Sequence, residues 1–475
     1  MVHEYFKRVL SERFGFEYTR SQREAVERFV AFFFQDQKET LFLLKGYAGT
    51  GKSSLVAAIV NTLLQFQYRV VLLAPTGRAA KVSSAYAGIP AFTVHKKIYR
   101  QRMTREGSDL FDLGFNTSSN TLFFVDEASM IGEGSSGSIF GSGSLLDDLF
   151  RYVYNGRGNR VVFIGDDAQL PPVGTCLSQA LDGDFLCRYY GVEVHEANLT
   201  EVTRQAERSG ILYNATRIRD RIGRGGSPRL HAEGFPDVKR ITGGEFLEEL
   251  ERSYDTVGDE ETMVICRSNR QANRFNAGIR GRLLYREEAL GGGDRVMIVK
   301  NNYFWVGKHE KVDFIANGEI ATVTRVGKHK EVYGFRFARA CLQMPGRTGE
   351  IDAWVMLDTL TAEQPALGAE DHKRLYTLVG QDYATEPSRR KRHEKILENE
   401  FFNALQIKFA YAITGHKAQG GQWNTVFLDP GRAGEEAPDD EYWRWLYTAF
   451  TRARERLFLV NSREDWFEEG AGTTR

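Results

Sequence analysis

Gly46-Tyr47-Ala48-Gly49-Thr50-Gly51-Lys52-Ser53 fills every constrained position of G-x-x-x-x-G-K-[ST]. In such a loop the N–H groups from Ala48 through Ser54, with the positive end of a following helix, converge into a nest for phosphates. Lys52 adds a point charge for the β- and γ-phosphates, and the Ser53 hydroxyl can ligate Mg²⁺. The ligand this implies is a nucleoside triphosphate. Asp126-Glu127 supplies two carboxylates: Asp126 suits Mg²⁺, directly or through water, and Glu127 suits proton removal from an attacking water. Taken alone, the same pair also reads as a helix-capping sequence. Gln169, inside Asp166-Asp167-Ala168-Gln169-Leu170-Pro171-Pro172, could tell triphosphate from diphosphate through its amide, although alone that segment reads as a plain loop.

These residues need strands that end and helices that begin at one edge. Leu41–Leu44 reads as a buried strand entering the Gly-rich loop, and Ser54–Val60 as an amphipathic helix leaving it. Val70–Leu73, Leu122–Val125 and Val161–Ile164 are further short runs, apolar on both faces, as parallel strands covered on both sides must be. Asp126 and Gln169 would then lie at carboxyl ends of strands, where ligands of open α/β sheets bind. A second α/β region is expected from Met263–Cys266, Val426–Leu428 and Leu457–Val460. Between its halves, Arg295–Val299, Glu319–Val323 and Tyr333–Phe337 suggest antiparallel strands of a small barrel, followed by a charged helix-favouring segment from Arg389 to Gln406. Gly132 to Ser144 reads as a low-complexity loop.

With 475 residues the chain can form two or three cores. Its 63 basic and 63 acidic residues balance, so a nucleic-acid partner has to be argued from local sites. The four cysteines, Cys176, Cys187, Cys266 and Cys341, show no C-x-x-C spacing, which suits a reducing compartment. Neither a signal-peptide core nor a run approaching membrane-span length is found, so a soluble, cytoplasmic protein is expected, with no membrane partner.

Nine motifs follow one another in one order: Thr19-Arg20-Ser21-Gln22, GYAGTGKSS, LLAPTGRAAK, FTVHK, FFVDEASMI, FIGDDAQLPPVG, LTEVTRQ, ITGHKAQGGQW and LYTAFTRARERLFLV. The series resembles a superfamily 1 helicase, and its VDEASM, DDAQLPPVG and HKAQG forms resemble the RecD-like and Dda-like 5′-to-3′ branch. That resemblance implies two RecA-like P-loop NTPase domains, with a β-hairpin insertion in the first and an SH3-like β-barrel in the second. The implied boundaries are 1–95 and 121–198 for the first RecA-like domain, and 96–120 for the hairpin, a pin or wedge. The second domain takes 199–290 and 409–475, and the barrel 291–408.

The resemblance also distributes roles. Arg204 and Arg452 become fingers reaching the γ-phosphate from the second domain, Gln22 the reader of adenine, and Gln422 stands where relatives often carry a glutamate near the ribose. Pro75, Thr76, Arg78, Lys81, Thr93, His95, Thr414, His416 and Lys417 would face a DNA backbone without reading sequence. Phe111 or Phe115 would stack on a base at the fork, and Arg389-Arg390-Lys391-Arg392 could touch DNA, although a solvated charge run is the preferred reading. The implied activity is an ATP- and Mg²⁺-dependent helicase working as a monomer on single-stranded and forked DNA, with replication or repair proteins as potential partners. Its rivals are a translocase that strips proteins without unwinding, and a nucleotide-gated binding switch.

Overall fold

The computed structural model describes residues 2–35, 39–103, 109–132, 141–172, 174–175, 177–203, 208–305, 315–347, 349–431 and 438–467. The expected strand before the Gly-rich loop is β1 (Thr40–Gly46), followed by β2 (Arg69–Ala74) and β3 (Ala91–Thr93). A two-stranded antiparallel hairpin, β4 (Tyr99–Met103) and β5 (Asp109–Leu113), occupies most of the expected insertion. Then come β6 (Thr121–Val125), β7 (Arg160–Gly165) and β8 (Glu193–Leu199), completing a parallel sheet ordered β3-β2-β6-β7-β1-β8.

Side chains alternate across these strands, so each face builds its own core. Phe42 and Leu44 join Phe6, Phe29, Val30, Leu55 and Ile59 under the helices Val2–Phe14, Arg20–Phe34 and Lys52–Gln65. Leu41 and Leu43 face Leu149, Val153 and Leu186 of the helices Leu145–Tyr154 and Gly183–Tyr190.

The second lobe has a parallel sheet containing β9 (Val238–Ile241) and β10 (Thr262–Cys266). The chain then leaves for a closed barrel of β11 (Arg295–Ile298), β12 (Ile320–Val332), β13 (Phe335–Gln343), β14 (Glu350–Met356) and β15 (Leu405–Phe409). It returns through β16 (Ala412–Thr414), β17 (Trp423–Leu428) and β18 (Ala453–Val460), giving the order β16-β10-β17-β18-β9. Two sequence expectations shift here. Tyr333 and Gly334, with φ of 55° and 69°, form the β12–β13 turn and not a strand. The charged helix spans only Arg389–Leu397, because Leu405 and Gln406 are needed in β15 to close the barrel. Among the described residues no helix is long and apolar enough to cross a membrane.

One carboxylate clasps the root of the barrel, where the chain crosses out and back. Asp294, fully buried, accepts from Arg280 Nε at 3.0 Å and Nη2 at 2.9 Å, Arg286 Nη1 at 2.8 Å, Gly291 N at 2.8 Å and Tyr411 Oη at 3.0 Å. Burial by itself would raise its pKa; the hydrogen bonds from Arg280, Gly291 and Arg286 outweigh burial and hold it below the usual aspartate value. A depressed carboxylate adds stability above its unfolded pKa and loses it as pH falls through the folded one. Asp294→Ala leaves two guanidiniums without their anion and should cost about 3–5 kcal/mol. Chemical denaturation checks this, and a loss near zero would show that the clasp does not hold the barrel.

Candidate functional site

The strand ends that the chemistry requires lie side by side, because β6, β7 and β1 are consecutive in the first sheet. The loop after β1 turns through Gly49 (φ 76°) and Gly51 (φ 80°), a region costly for residues with a Cβ. A Cβ on Gly46 would lie 2.8 Å from Leu199 Cβ, so the loop packs hard on the end of β8. Ser53 and Ser54 are exposed at the first turn of the helix Lys52–Gln65. Lys52 Nζ folds back onto the carbonyls of Gly46 and Tyr47, the latter at 2.9 Å, and stands 4.0 Å from Asp166 Oδ2. Thr50 Oγ1 braces the loop by donating to Tyr47 O at 2.7 Å.

At the end of β6, Asp126 Oδ2 accepts from Ser83 Oγ and Tyr86 Oη, both at 2.7 Å, while Oδ1 takes the Glu127 N–H at 2.9 Å. Glu127 has φ 50°, a left-handed conformation costing about 1–2 kcal/mol for a residue with a side chain. Burial pushes its carboxyl up; Arg452 is the leading charge opposing that shift, followed by Asp126, which reinforces it, and Lys52, which opposes it. Arg452 follows the helix Asp440–Phe450 in the second lobe, so the fields of both lobes meet at Glu127.

Arg452 is 3% exposed and, among the described residues, donates only to neutral oxygens: Thr448 O at 3.0 Å, Gly421 O at 3.1 Å and Thr451 Oγ1 at 3.1 Å. Gln169 is buried, and its Oε1 has no hydrogen-bond partner among the described residues. Ser129 Oγ is likewise buried and unpartnered among them, and both residues border a crevice of about 660 Å³ that also touches Asp166, Lys45 and Arg444. The second expected finger, Arg204, lies outside the described residues.

The second lobe grips the segment around Gln169. Leu170 N donates to Thr448 Oγ1 at 2.9 Å, Leu170 O accepts from Gln419 Nε2 at 2.7 Å, and Arg444 donates to the Asp167 carbonyl. Tyr447 Oη accepts from Ala48 N at 2.9 Å and donates to Asp166 Oδ2 at 2.7 Å. Sequence reasoning passed over Thr448, Tyr447, Gln419 and Asp166 as site residues. All four lie inside motifs it quoted, but a motif does not show which member crosses an interface.

Three expectations need correction. Gln22 does not present a free amide edge for a base. Its Oε1 caps its own helix through Thr19 N at 3.0 Å, and its Nε2 donates to Thr50 O at 2.9 Å, so the buried amide braces the phosphate loop. Arg78 is not free for a DNA phosphate: it stacks 3.8 Å over the Trp423 ring and donates to Gln422 O at 3.0 Å, tying the lobes together. Phe111 is not an exposed pin aromatic. It is 5% exposed and packs on Tyr303 with centroids 4.4 Å apart, whereas Phe115 is 78% exposed. Gln422 itself has an exposed side chain, and Arg78 and Arg454 hold its carbonyl.

The remaining strand-facing candidates share one construction. Thr76, Thr93 and Thr414 follow the ends of β2, β3 and β16 and cap short helices; Thr76 and Thr93 do so through side-chain bonds to Ala79 N and Lys96 N, both 3.2 Å. Pro75 is half-buried before the first helix, and Lys81 is exposed on it. Burial pushes His95 down to about 4 and lowers His416 and Lys417, so both imidazoles are neutral near pH 7. Lys417 Nζ donates to Asn317 Oδ1 at 2.7 Å, beside the barrel.

A phosphate loop backed by a strand-end Asp-Glu pair, with an arginine brought by another sheet, defines a two-lobed P-loop nucleoside-triphosphatase fold. The model of an AAA domain matches residues 17–225, and that of a UvrD-like helicase C-terminal domain matches 409–460. An ATP-dependent RecD2 DNA helicase of Deinococcus radiodurans is 25% identical over 90% of this chain, and DNA helicase B of Mus musculus 24% identical over 82%. The chain spans 47% and 36% of the lengths of those two relatives. A Bacteroides Pif1 structure bound to single-stranded DNA aligns over 96% of this chain and 95% of its own, with 18% identity and a TM-score of 0.47. The sequence of this chain thus matches an AAA domain over 17–225 and a UvrD-like helicase C-terminal domain over 409–460.

Lys52 carries the only side-chain charge on the phosphate loop itself. Lys52→Ala should weaken binding of a fluorescent ATP analogue by about 1.5–3 kcal/mol, on the order of tenfold to a hundredfold in Kd. An unchanged titration would remove Lys52 from the site.

Proposed function

We propose that this chain is an ATP-dependent DNA helicase that moves 5′-to-3′ on single-stranded DNA and unwinds duplex ahead of it. The carrying observation is Arg452, a buried cation with neutral oxygen partners that acts on Glu127 across the lobes. A guanidinium so placed is stabilised by an arriving polyanion, and that anion would pull the lobes together. Both relatives named above are called DNA helicases, which supports the activity; polarity rests on the motif resemblance.

In this reading 1–95 with 121–198 form the first RecA-like domain and 199–290 with 409–475 the second. Segment 96–120 is the pin, and 291–408 an SH3-like cover over the strand. ATP lies between the lobes, with Lys52 and Arg452 balancing the γ-phosphate and Gln169 Oε1 turned to it through a water or N–H partner. The residues present fit Mg²⁺. Ser53 offers an exposed hydroxyl, and Asp126 accepts three hydrogen bonds, leaving about one of its roughly four acceptor sites for an ion-bound water. When bound, that ion neutralises and aligns the β- and γ-phosphate oxygens. Glu127, held by its left-handed turn, takes the proton of the attacking water. Leu170, tied by both backbone groups to Thr448 and Gln419, passes the loss of the γ-phosphate to the second lobe. Strand grips capped by Thr76, Thr93 and Thr414 then shift relative to one another, and Phe115 remains as the exposed aromatic at the fork.

Two tests follow. A duplex with only a 5′ single-stranded tail should be unwound with ATP, and one with only a 3′ tail should not. Hydrolysis stimulated by single strands without strand separation would favour a translocase, and the opposite polarity would remove the 5′-to-3′ assignment. Glu127→Gln should lower turnover by about 10²–10⁴-fold while nucleotide still binds. Because Glu127 must be ionised to act and its pKa is raised, turnover should fall as pH drops through a value above the usual glutamate range. That acidic limb should vanish in the variant.

A further inference from the structure

The helix Asp440–Phe450 makes one contact that motif chemistry does not require. It carries Tyr447, 1% exposed, into the first lobe, where the hydroxyl is shared between the phosphate loop and the end of β7. The oxygen accepts the Ala48 N–H at 2.9 Å, and the O–H donates to Asp166 Oδ2 at 2.7 Å. That same carboxylate oxygen is the one 4.0 Å from Lys52 Nζ, and Asp166 Oδ1 is taken by Ala168 N at 3.0 Å. Burial, then the Asp166 charge, push the phenol far up, so it is a neutral donor at any physiological pH.

Two groups that a triphosphate needs are therefore committed elsewhere. The Ala48 N–H belongs to the nest but points at a hydroxyl from the other lobe. Lys52 is folded onto loop carbonyls and lies next to the carboxylate that this hydroxyl holds. Phosphate oxygens entering the loop compete for both groups. One residue further on, Thr448 grips Leu170 N, and the same chain segment delivers Arg452. The end of the helix and the two residues after it thus carry a sensor of the loop, a grip on the segment around Gln169 and the arginine assigned to the γ-phosphate, within six consecutive residues.

We propose that Tyr447 is a positioning residue that reads occupancy of the phosphate loop. Empty, the loop is latched to the second lobe through the Tyr447 hydroxyl; filled, it gives up the Ala48 bond, and the helix is freed to reseat Thr448 and Arg452. A ligand shifts such an equilibrium only by its differential interaction with the two states, and here that difference is one hydrogen bond exchanged for another. The proposal rests on the nucleotide site assigned above, not on unwinding.

The test uses the full chain with Tyr447→Phe, which keeps the ring in its packing and removes only the oxygen. Without the competing hydroxyl, a fluorescent ATP analogue should bind about 2- to 10-fold more tightly in the absence of DNA, the span of one net hydrogen bond. The ratio of single-strand affinities with and without a non-hydrolysable ATP analogue should shrink toward one. An unchanged or weaker nucleotide affinity, or an unaltered ratio, overturns the latch. Fluorotyrosine placed at 447 gives a second measurement in an otherwise unaltered chain: its ¹⁹F resonance should move on nucleotide addition, and a fixed resonance overturns the proposal even if the Phe variant misfolds. Should the unsubstituted chain bind no nucleotide, the site assignment itself fails and the latch falls with it. Normal binding by both proteins removes the latch alone.

Discussion

A guanidinium buried among neutral oxygens is the constraint around which the two lobes are arranged. Taking Arg452 out of water costs several kcal/mol, and three carbonyl or hydroxyl partners take three of its five N–H donors without neutralising its charge. The compensation is long-range, from Glu127 at the end of β6, whose own carboxyl burial pushes up. Positive and negative charges thus face one another across a crevice without closing into ion pairs. A triphosphate with its metal would complete that unfinished balance, and only with the lobes together.

The surrounding interface combines backbone hydrogen bonds, buried apolar side chains and arginine–aromatic contacts. Leu170 gives the second lobe both its peptide, to Thr448 and Gln419, and its side chain, which is buried in that lobe's core with Trp443 and Leu446. Arg78 over Trp423, and Arg219 4.0 Å over the Tyr47 ring, add broad, weakly directional contacts that tolerate sliding. Gly420 and Gly421 permit the approach: a Cβ on Gly421 would meet Arg78 Nε at 2.8 Å, and one on Gly420 would lie 3.1 Å from Thr76 Oγ1.

What could be read from the chain alone divides along contact range. The buried strands β1, β2, β6, β7, β10, β17 and β18 were legible because each is a short apolar run, and the phosphate loop because its spacing is local. The edge strands were not. β8 reads Glu-Val-His-Glu-Ala-Asn-Leu, and β3, β9 and β16 are three or four residues long, too short for a period. Gln22 is held locally, by Thr19 and by Thr50 of the phosphate loop, but other engaged residues turn on pairings across the chain. Arg78 meets a carbonyl 344 positions away, and Ala48 a hydroxyl 399 positions away. Composition and spacing carry no information about such distances, so Arg78 looked like a phosphate ligand.

The hairpin and the barrel extend this logic away from the nucleotide. Phe111 belongs to a strand of the first lobe, and Tyr303 to the segment between β11 and β12 that enters the barrel of the second. Their rings touch, and both pack with the core beneath the helix Leu145–Tyr154. Glu319, at the start of the barrel's long hairpin, lies 3.2 Å from where a Cβ on Gly77 would stand, at the start of the helix capped by Thr76. Each insertion therefore leans on the opposite lobe, and relative movement of the lobes cannot leave either in place. Phe111 seats the hairpin in the first lobe's own core while touching Tyr303 of the segment that enters the barrel. The helix Asp440–Phe450 answers to the phosphate loop at one end of this chain of contacts, and β4–β5 answers to the barrel at the other. Chemistry at Glu127 can be felt at the hairpin without any single residue spanning the distance, provided the lobes move as bodies.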